Sequence, residues 1–353
     1  MTVRTREASL EKGLVLARRG RSAEKRRDLA EALDLYAEAH ALIEGLGPTP
    51  LEANLLRGPG SVLRDLGDLE RADLLYQDSA ALAESLGEIG AKASALNCRA
   101  VVAQRQGRLD DAVDLYGAAR SLAAEAGEIR LFGMIELNLG VLWNVRGDLD
   151  EANAHYEAAL NSFEEVGDDE ARAWVLNNVG MLFTARGRAV EAEPYYARAL
   201  EIAQARRDRP LEGIVRTNHG EALIALERWD DAERELGVAL ALVQEGQDRT
   251  REAEALHQLG RLSVATGNHD LARAHLAEAL RLGSLLDDVL IVSQVLTERG
   301  TIHHREGRED EALEDWSRAK DGFVALGATR QTGEVTTLIE SIRGGDSRPV
   351  PAG

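Results

Sequence analysis

A single cysteine, Cys98, stands among 353 residues. That excludes an internal disulfide framework and suits a reducing compartment. Aromatic residues make up only 4% of the chain and prolines number seven. Ala, Leu, Glu and Arg abound instead, a composition that favours helix over sheet. No apolar run approaches the roughly 20 residues of a membrane span. The start, "MTVRTREASLEKG", has no apolar core of a leader peptide. A soluble, cytoplasmic protein with no membrane partner is therefore expected. The excess of arginine over lysine hints at a GC-rich bacterial genome.

Positive charge is also scarce. The net charge is −19, which disfavours nonspecific contact with nucleic acid or anionic lipid. The basic exception is residues 1–28, with nine Lys+Arg against four Asp+Glu. They suit either a solvated capping helix or a docking patch for an acidic partner.

Motifs that carry chemistry are missing as well. No GxxxxGK[ST] loop and no HExxH occurs. His303 and His304 are adjacent, so on a helix they point about 100° apart and make a poor metal pair. His269 and His275 straddle a turn, and His257 reads as a polar contact. Cys98 has no paired histidine and acid, so it reads as a buried or groove-lining thiol. Neither catalysis, nor a cofactor, nor a metal is expected.

What the chain does have is a period of forty. "GDLERADLLY", "GRLDDAVDLY", "GDLDEANAHY" and "GRAVEAEPYY" begin at residues 67, 107, 147 and 187, and "GNHDLARAHL" and "GREDEALEDW" at 267 and 307. "ERWDDAEREL" fills position 227, with Glu227 in the glycine slot, and "RDLAEALDLY" fills position 27. Eight repeats thus run over 7–326 without insertion. An alanine recurs from Ala32 to Ala312. Four residues on stands a large residue: Tyr36, Tyr76, Tyr116, Tyr156, Tyr196, Leu236, Leu276 and Trp316. Three further on comes a small one, as at Ala39 and Ser79. Spacings of four and three share a helix face. An upstream helix carries Gly20, Gly60, Ala100, Gly140, Gly180, Gly220, Gly260 and Gly300. Glycine inside a helix costs about 1 kcal/mol relative to alanine, so its recurrence predicts a close crossing there. Each unit is then two antiparallel helices. A short turn joins them, with Gly67, Gly107, Gly147 and Gly187 at helix C-termini. Turn carboxylates such as Asp110, Asp111, Asp150, Glu151, Asp230 and Asp231 favour the dipole of the following helix.

This pattern resembles the tetratricopeptide repeat family across nearly the whole chain. Its W-x2-L-G-x2-Y then A-x3-F signature is matched by Leu176, Val179, Gly180 and Phe183, followed by Ala192 and Tyr196. Leu139, Gly140, Trp143, Ala152 and Tyr156 match it again. The forty-residue length is similar to repeats of kinesin light chains, spindle-orientation adaptors and bacterial peptide-pheromone sensors. There are departures. Arg99, His219 and Arg299 occupy a leucine slot and the terminal proline is missing, so looser packing is expected in repeats six and eight. The implied fold is all-α: an α-α superhelix of about eight antiparallel helix pairs plus a C-terminal capping helix. The expected organisation is an N-terminal extension (1–6), the repeats (7–326), the capping helix (327–343) and a disordered tail (344–353).

The resemblance also implies that the first helix of each pair lines a concave groove. Opposite the core stripe of residues 175–183 lie Trp174, Asn177, Asn178, Met181, Thr184 and Ala185. Asn138 and Asn218 lie forty residues to either side of Asn178. Amides at this column in similar peptide-binding repeats clamp the backbone of an extended peptide, since a primary amide both donates and accepts. The alternative is that these amides cross-link neighbouring first helices. The inward positions hold eight basic residues, among them Arg57, Arg64, Arg105 and Arg261, against five acidic ones. The centre is apolar with amides and includes Met134. The expected ligand is an extended peptide segment of a partner protein, with an apolar middle and an acidic end near the first repeats. The leading expectation is a non-catalytic protein-protein interaction scaffold. The alternative is a bacterial peptide- or ligand-sensing regulator of the pheromone-receptor or signal-transducing ATPase type.

Overall fold

A computed structural model describes residues 3–26 and 28–343, except for the side chains of 3–5, 25 and 343. The expected tail at 344–353 lies outside the described residues. Every regular element among the described residues is α-helical. The helices are α1 (Val3–Lys25), α2 (Leu29–Ile43), α3 (Pro50–Asp65), α4 (Leu69–Ser85), α5 (Ile89–Arg105) and α6 (Leu109–Glu125). Then come α7 (Ile129–Arg146), α8 (Leu149–Glu165), α9 (Asp169–Ala185), α10 (Ala189–Arg206), α11 (Arg209–Ala225) and α12 (Trp229–Glu245). The last are α13 (Arg249–Ala265), α14 (His269–Leu285), α15 (Val289–Arg305), α16 (Glu309–Ala325) and α17 (Thr329–Arg343). The chain forms two compact units, residues 1–169 and 170–353.

The turn chemistry explains why the helices stop where they do. At the end of α5, Gly107 takes φ 74°. Its N–H donates to Gln104 O (3.0 Å), and the Arg108 N–H donates to Ala103 O (2.9 Å). This left-handed cap satisfies carbonyls that the helix leaves open. Several helix starts are capped by short polar side chains. Asp208 accepts from the Leu211 N–H at 3.1 Å, Asn268 from the Leu271 N–H at 3.2 Å, and Thr49 from the Glu52 N–H at 3.1 Å. Four caps lack glycine: Arg207, Glu227, Gln247 and Asp287 have φ of 57°, 57°, 55° and 52°. A side chain is strained in that region.

Within the first unit, α1 packs on α2, α3 on α4, α5 on α6 and α7 on α8. The first helices also touch one another, α1 to α3, α3 to α5 and α5 to α7. The second unit repeats the scheme through α11–α12, α13–α14 and α15–α16, with α11 against α13 and α13 against α15. First helices therefore form one layer of each unit and second helices the other. The fold is a solenoid of sequential helix pairs. Helix α17 packs on α16, burying Val335 and Ile339.

The glycine column marks the crossings. A Cβ at Gly180 would meet the Tyr196 ring at 2.6 Å, and one at Gly140 the Tyr156 ring at 2.5 Å. Tyr196 is fully buried, and its hydroxyl lies 3.2 Å from Thr184 Oγ1. The ring fills the space that a side chain on the facing helix would take.

The leucine slots behind the expected loosening of repeats six and eight are filled by polar contacts and ring packing. Arg299 of α15 makes a two-pronged bond to Asp315 of α16, at 2.6 and 2.5 Å. His219 packs its ring 5.5 Å from that of Tyr196. In repeat three, Arg99 Nε bonds Asp73 at 2.9 Å. Ion pairs and ring contacts thus replace the aliphatic contact.

Candidate functional site

In the second unit, four consecutive first helices enclose a pocket of about 340 Å³. Helix α9 contributes Trp174, Asn177, Asn178 and Met181; α11 contributes Ile214, Thr217 and Asn218. Arg251, Glu254, His257 and Gln258 come from α13, and Leu290, Ile291 and Gln294 from α15. Most of these side chains meet because they occupy the stripe opposite their helix's core stripe; Ile291 is part of the core itself. Five sequence-derived candidates, Trp174, Asn177, Asn178, Met181 and Asn218, share this one pocket.

The amides do not behave alike. Asn218 Nδ2 donates to Asn177 Oδ1 at 2.9 Å, and Asn177 Nδ2 approaches Met181 Sδ at 3.5 Å. Asn177 is 2% exposed, so its amide is held inside the wall. In the first unit Asn138 Nδ2 donates to Asn97 Oδ1 at 3.0 Å. Both amide bonds span forty-one residues, not forty. The nearest amide on the preceding first helix sits one position before the repeat equivalent. The forty-residue column is therefore not itself a bonded ladder. Asn97 escaped the sequence reading because Cys98 fills that column. The signal lay in Asn177, which is eighty residues after Asn97. The Asn178 side chain makes no hydrogen bond among the described residues. It is half-buried in the pocket wall with its amide open.

His257 is 5% exposed, and its Nε2 is buried without a hydrogen-bond partner. Burial, with Arg261 nearby, pushes its imidazole down to about 3, so the ring is neutral at pH 7. Arg251 and Glu254 bond each other at 2.7 and 2.9 Å, and burial holds the Glu254 carboxyl above the usual range.

The arginines expected to serve an acidic ligand are mostly engaged. Arg261 bridges Glu221 of α11 (3.0 Å) and Glu298 of α15 (3.6 Å) and also bonds Gln258. Arg64 pairs with Asp65 at 2.9 Å. Arg105 bonds Arg64 O at 3.1 Å and lies 3.8 Å from Asp65. Arg57 alone of the four has no carboxylate partner. It bonds Asn54, its Nε is buried without a partner, and burial lowers its pKa. Met134, in the first unit, is 37% exposed and accepts from Arg130 Nη1 at 3.6 Å. A wider opening of about 700 Å³ in the first unit is lined largely by Leu10, Leu14, Pro48, Pro50 and Leu51. Its buried Thr49 is already used as a helix cap. No cluster of three or more metal-ligating side chains occurs among the described residues. No helix among them is long and apolar enough to cross a membrane.

Stacked helix pairs presenting one wall of first helices define an α-helical repeat architecture. The tetratricopeptide repeat model matches residues 132–205 and 211–283. The chain carries tetratricopeptide repeats. BtubC (BKLC) from P. vanneervenii has a similar structure, with TM-score 0.55 and 28% identity, covering 62% of this chain and 92% of that one. The apo quorum sensor NprR from B. thuringiensis is similar at TM-score 0.66 and 14% identity, covering 88% and 87%. The Rap conjugation gene regulator of plasmid pLS20, in complex with the Phr* peptide, is similar at TM-score 0.61 and 14% identity, covering 91% and 97%. At 14% identity the last two establish a shared fold only. No curated protein matches the chain.

Proposed function

We propose that the protein is a non-catalytic scaffold that binds an extended peptide segment of a partner protein on its first-helix wall. The observation that carries this reading is the second-unit pocket. It draws on four successive first helices and combines apolar walls with the open amide of Asn178. The amide suits a peptide main chain, and Trp174, Met181 and Ile214 suit an apolar side chain. In the first unit Asn138, whose Nδ2 is bonded to Asn97, offers its amide oxygen, and Met134 offers an exposed apolar side chain. Arg57, without a carboxylate of its own, is the residue for an acidic part of the partner. Arg64, Arg105 and Arg261 shape the wall through their ion pairs.

A second reading is a peptide-sensing regulator. It is favoured by the shared fold with a quorum sensor and with a regulator that binds a peptide. The two readings differ in what binding does. A sensor changes its scattering profile when a short peptide binds; a passive scaffold does not.

The test is capture of partners by tagged protein followed by mass spectrometry, repeated with Asn178→Ala. Interactors that depend on Asn178 are expected. If every interactor survives that substitution and Trp174→Ala, the pocket is not the binding site.

A further inference from the structure

We infer that the pocket between α9, α11, α13 and α15 receives one uncharged aromatic side chain with a hydrogen-bonding tip, of the phenol type, and that His257 pairs with that tip. This rests on the peptide-binding reading and names the residue class the pocket selects.

Three observations converge. The first is charge. Arg251 and Glu254 are the only ionisable side chains lining the pocket besides His257, and they bond each other. An incoming carboxylate would meet Glu254 and an incoming ammonium would meet Arg251, and either would have to break their pair. An uncharged group disturbs nothing.

The second is unmet hydrogen bonding. His257 is 5% exposed with a buried, unpartnered Nε2. A buried polar atom without a partner is costly, and a ligand that uncovers and satisfies it recovers that cost. Neutral imidazole offers one donor and one acceptor. A phenol hydroxyl, which also does both, pairs with either tautomer. Nearby Asn177 and Thr217 are already bonded within the protein, Thr217 to Gly213 O at 3.0 Å.

The third is shape. The volume of about 340 Å³ equals about eleven waters at roughly 30 Å³ each, ample for a ring. Trp174, Met181, Ile214 and Leu290 give it apolar walls. A thioether beside the site favours an aromatic ring over an aliphatic chain.

The experiment uses the full chain labelled with methyl-¹³C methionine. Only Met1, Met134 and Met181 report, and Met134 lies in the other unit. The probes are p-cresol, toluene, p-toluate and p-methylbenzylammonium. Saturable movement of the Met181 signal by p-cresol is expected, with Met134 unmoved. Toluene should bind about five- to tenfold more weakly, and the charged probes more weakly still. His257→Leu should bring p-cresol down to the affinity of toluene. His257→Gln, which keeps a neutral hydrogen-bonding group, should retain part of the preference. The inference is overturned if p-cresol leaves Met181 unmoved, or if either charged probe binds as well as p-cresol. It is also overturned if folded His257→Leu or His257→Gln shows that the phenol preference does not depend on a hydrogen-bonding group at 257. Partner capture that depends on Asn178 without any phenol preference would refute this inference and leave the scaffold reading standing. A phenol preference with no Asn178-dependent partner would do the reverse.

Discussion

Arg299→Leu should be more damaging alone than together with Asp315→Leu. Asp315 is 3% exposed on α16. Its carboxylate oxygens take both prongs of the Arg299 guanidinium, at 2.6 and 2.5 Å. Removing the arginine leaves a buried carboxyl group without its two-pronged partner. Breaking a buried pair in this way costs about 3–5 kcal/mol. The Arg299 side chain is 30% exposed, so solvent screens part of the interaction, and about 2–3 kcal/mol is the better expectation. His303 Nε2 lies 3.6 Å from Asp315. Burial, with the Arg308 and Arg299 cations nearby, lowers the His303 pKa in the parent fold. Asp315→Leu alone should cost less, about 1 kcal/mol, because Arg299 can extend toward water. The double variant places leucine at two positions where other repeats already have it. Leu139 and Leu259 stand in the column of Arg299, and Leu35, Leu75 and Leu115 in that of Asp315. Its stability should lie within about 1 kcal/mol of the parent. Because each repeat touches mainly its neighbours, the loss should be local. Urea melts give the double-mutant cycle, and hydrogen exchange should show faster opening of α15–α17 in Arg299→Leu. A coupling energy below about 0.5 kcal/mol would refute the reasoning.

Three further outcomes follow from the same geometry. Glu227→Gly should raise stability by about 0.5–1 kcal/mol, because Glu227 is exposed and holds φ at 57° where sister repeats have glycine; an unchanged or lower melting midpoint would contradict this. Asn178→Ala should leave the urea midpoint close to that of the parent, whereas Asn218→Ala should cost about 1 kcal/mol, since it takes away the partner of buried Asn177; equal losses would mean that Asn178 is also structural. His257 is held near 3 in the fold against about 6.5 in the unfolded chain. The unfolded state therefore binds the extra proton between these values. Stability from this group is complete above pH 6.5 and falls as the pH drops toward 3, by at most about 1.4 kcal/mol per pH unit. Comparing pH-dependent melts of the parent and His257→Leu isolates the effect, and parallel curves would refute it.

The helix-pair solenoid was legible in the sequence because its causes are local and recur. Alanine at 32 through 312, a large residue four later and glycine sixteen before that large residue each answer a packing demand within one pair. Eight copies of that demand in register leave little freedom. The inward stripe followed from the same logic, since whatever is not on the core face must face away from it. That stripe places Trp174, Asn178, Met181 and Asn218 on one inward side.

What the repeat frame could not decide was which inward groups are free. Hydrogen bonding depends on axial offsets between neighbouring helices, and an offset of one residue pairs Asn218 with Asn177 and Asn138 with Asn97. Formal charge counts missed that Arg261 is held between Glu221 and Glu298 while Arg57 has no carboxylate. Nor does composition distinguish a solvated histidine from His257, whose environment comes from three other helices. Sequence by itself determined the periodic, short-range part of this protein, because helix faces and turns are set by neighbours along the chain. Tertiary structure decided which amide stays open and which charges cancel, because those depend on side chains forty residues apart meeting within about 3 Å.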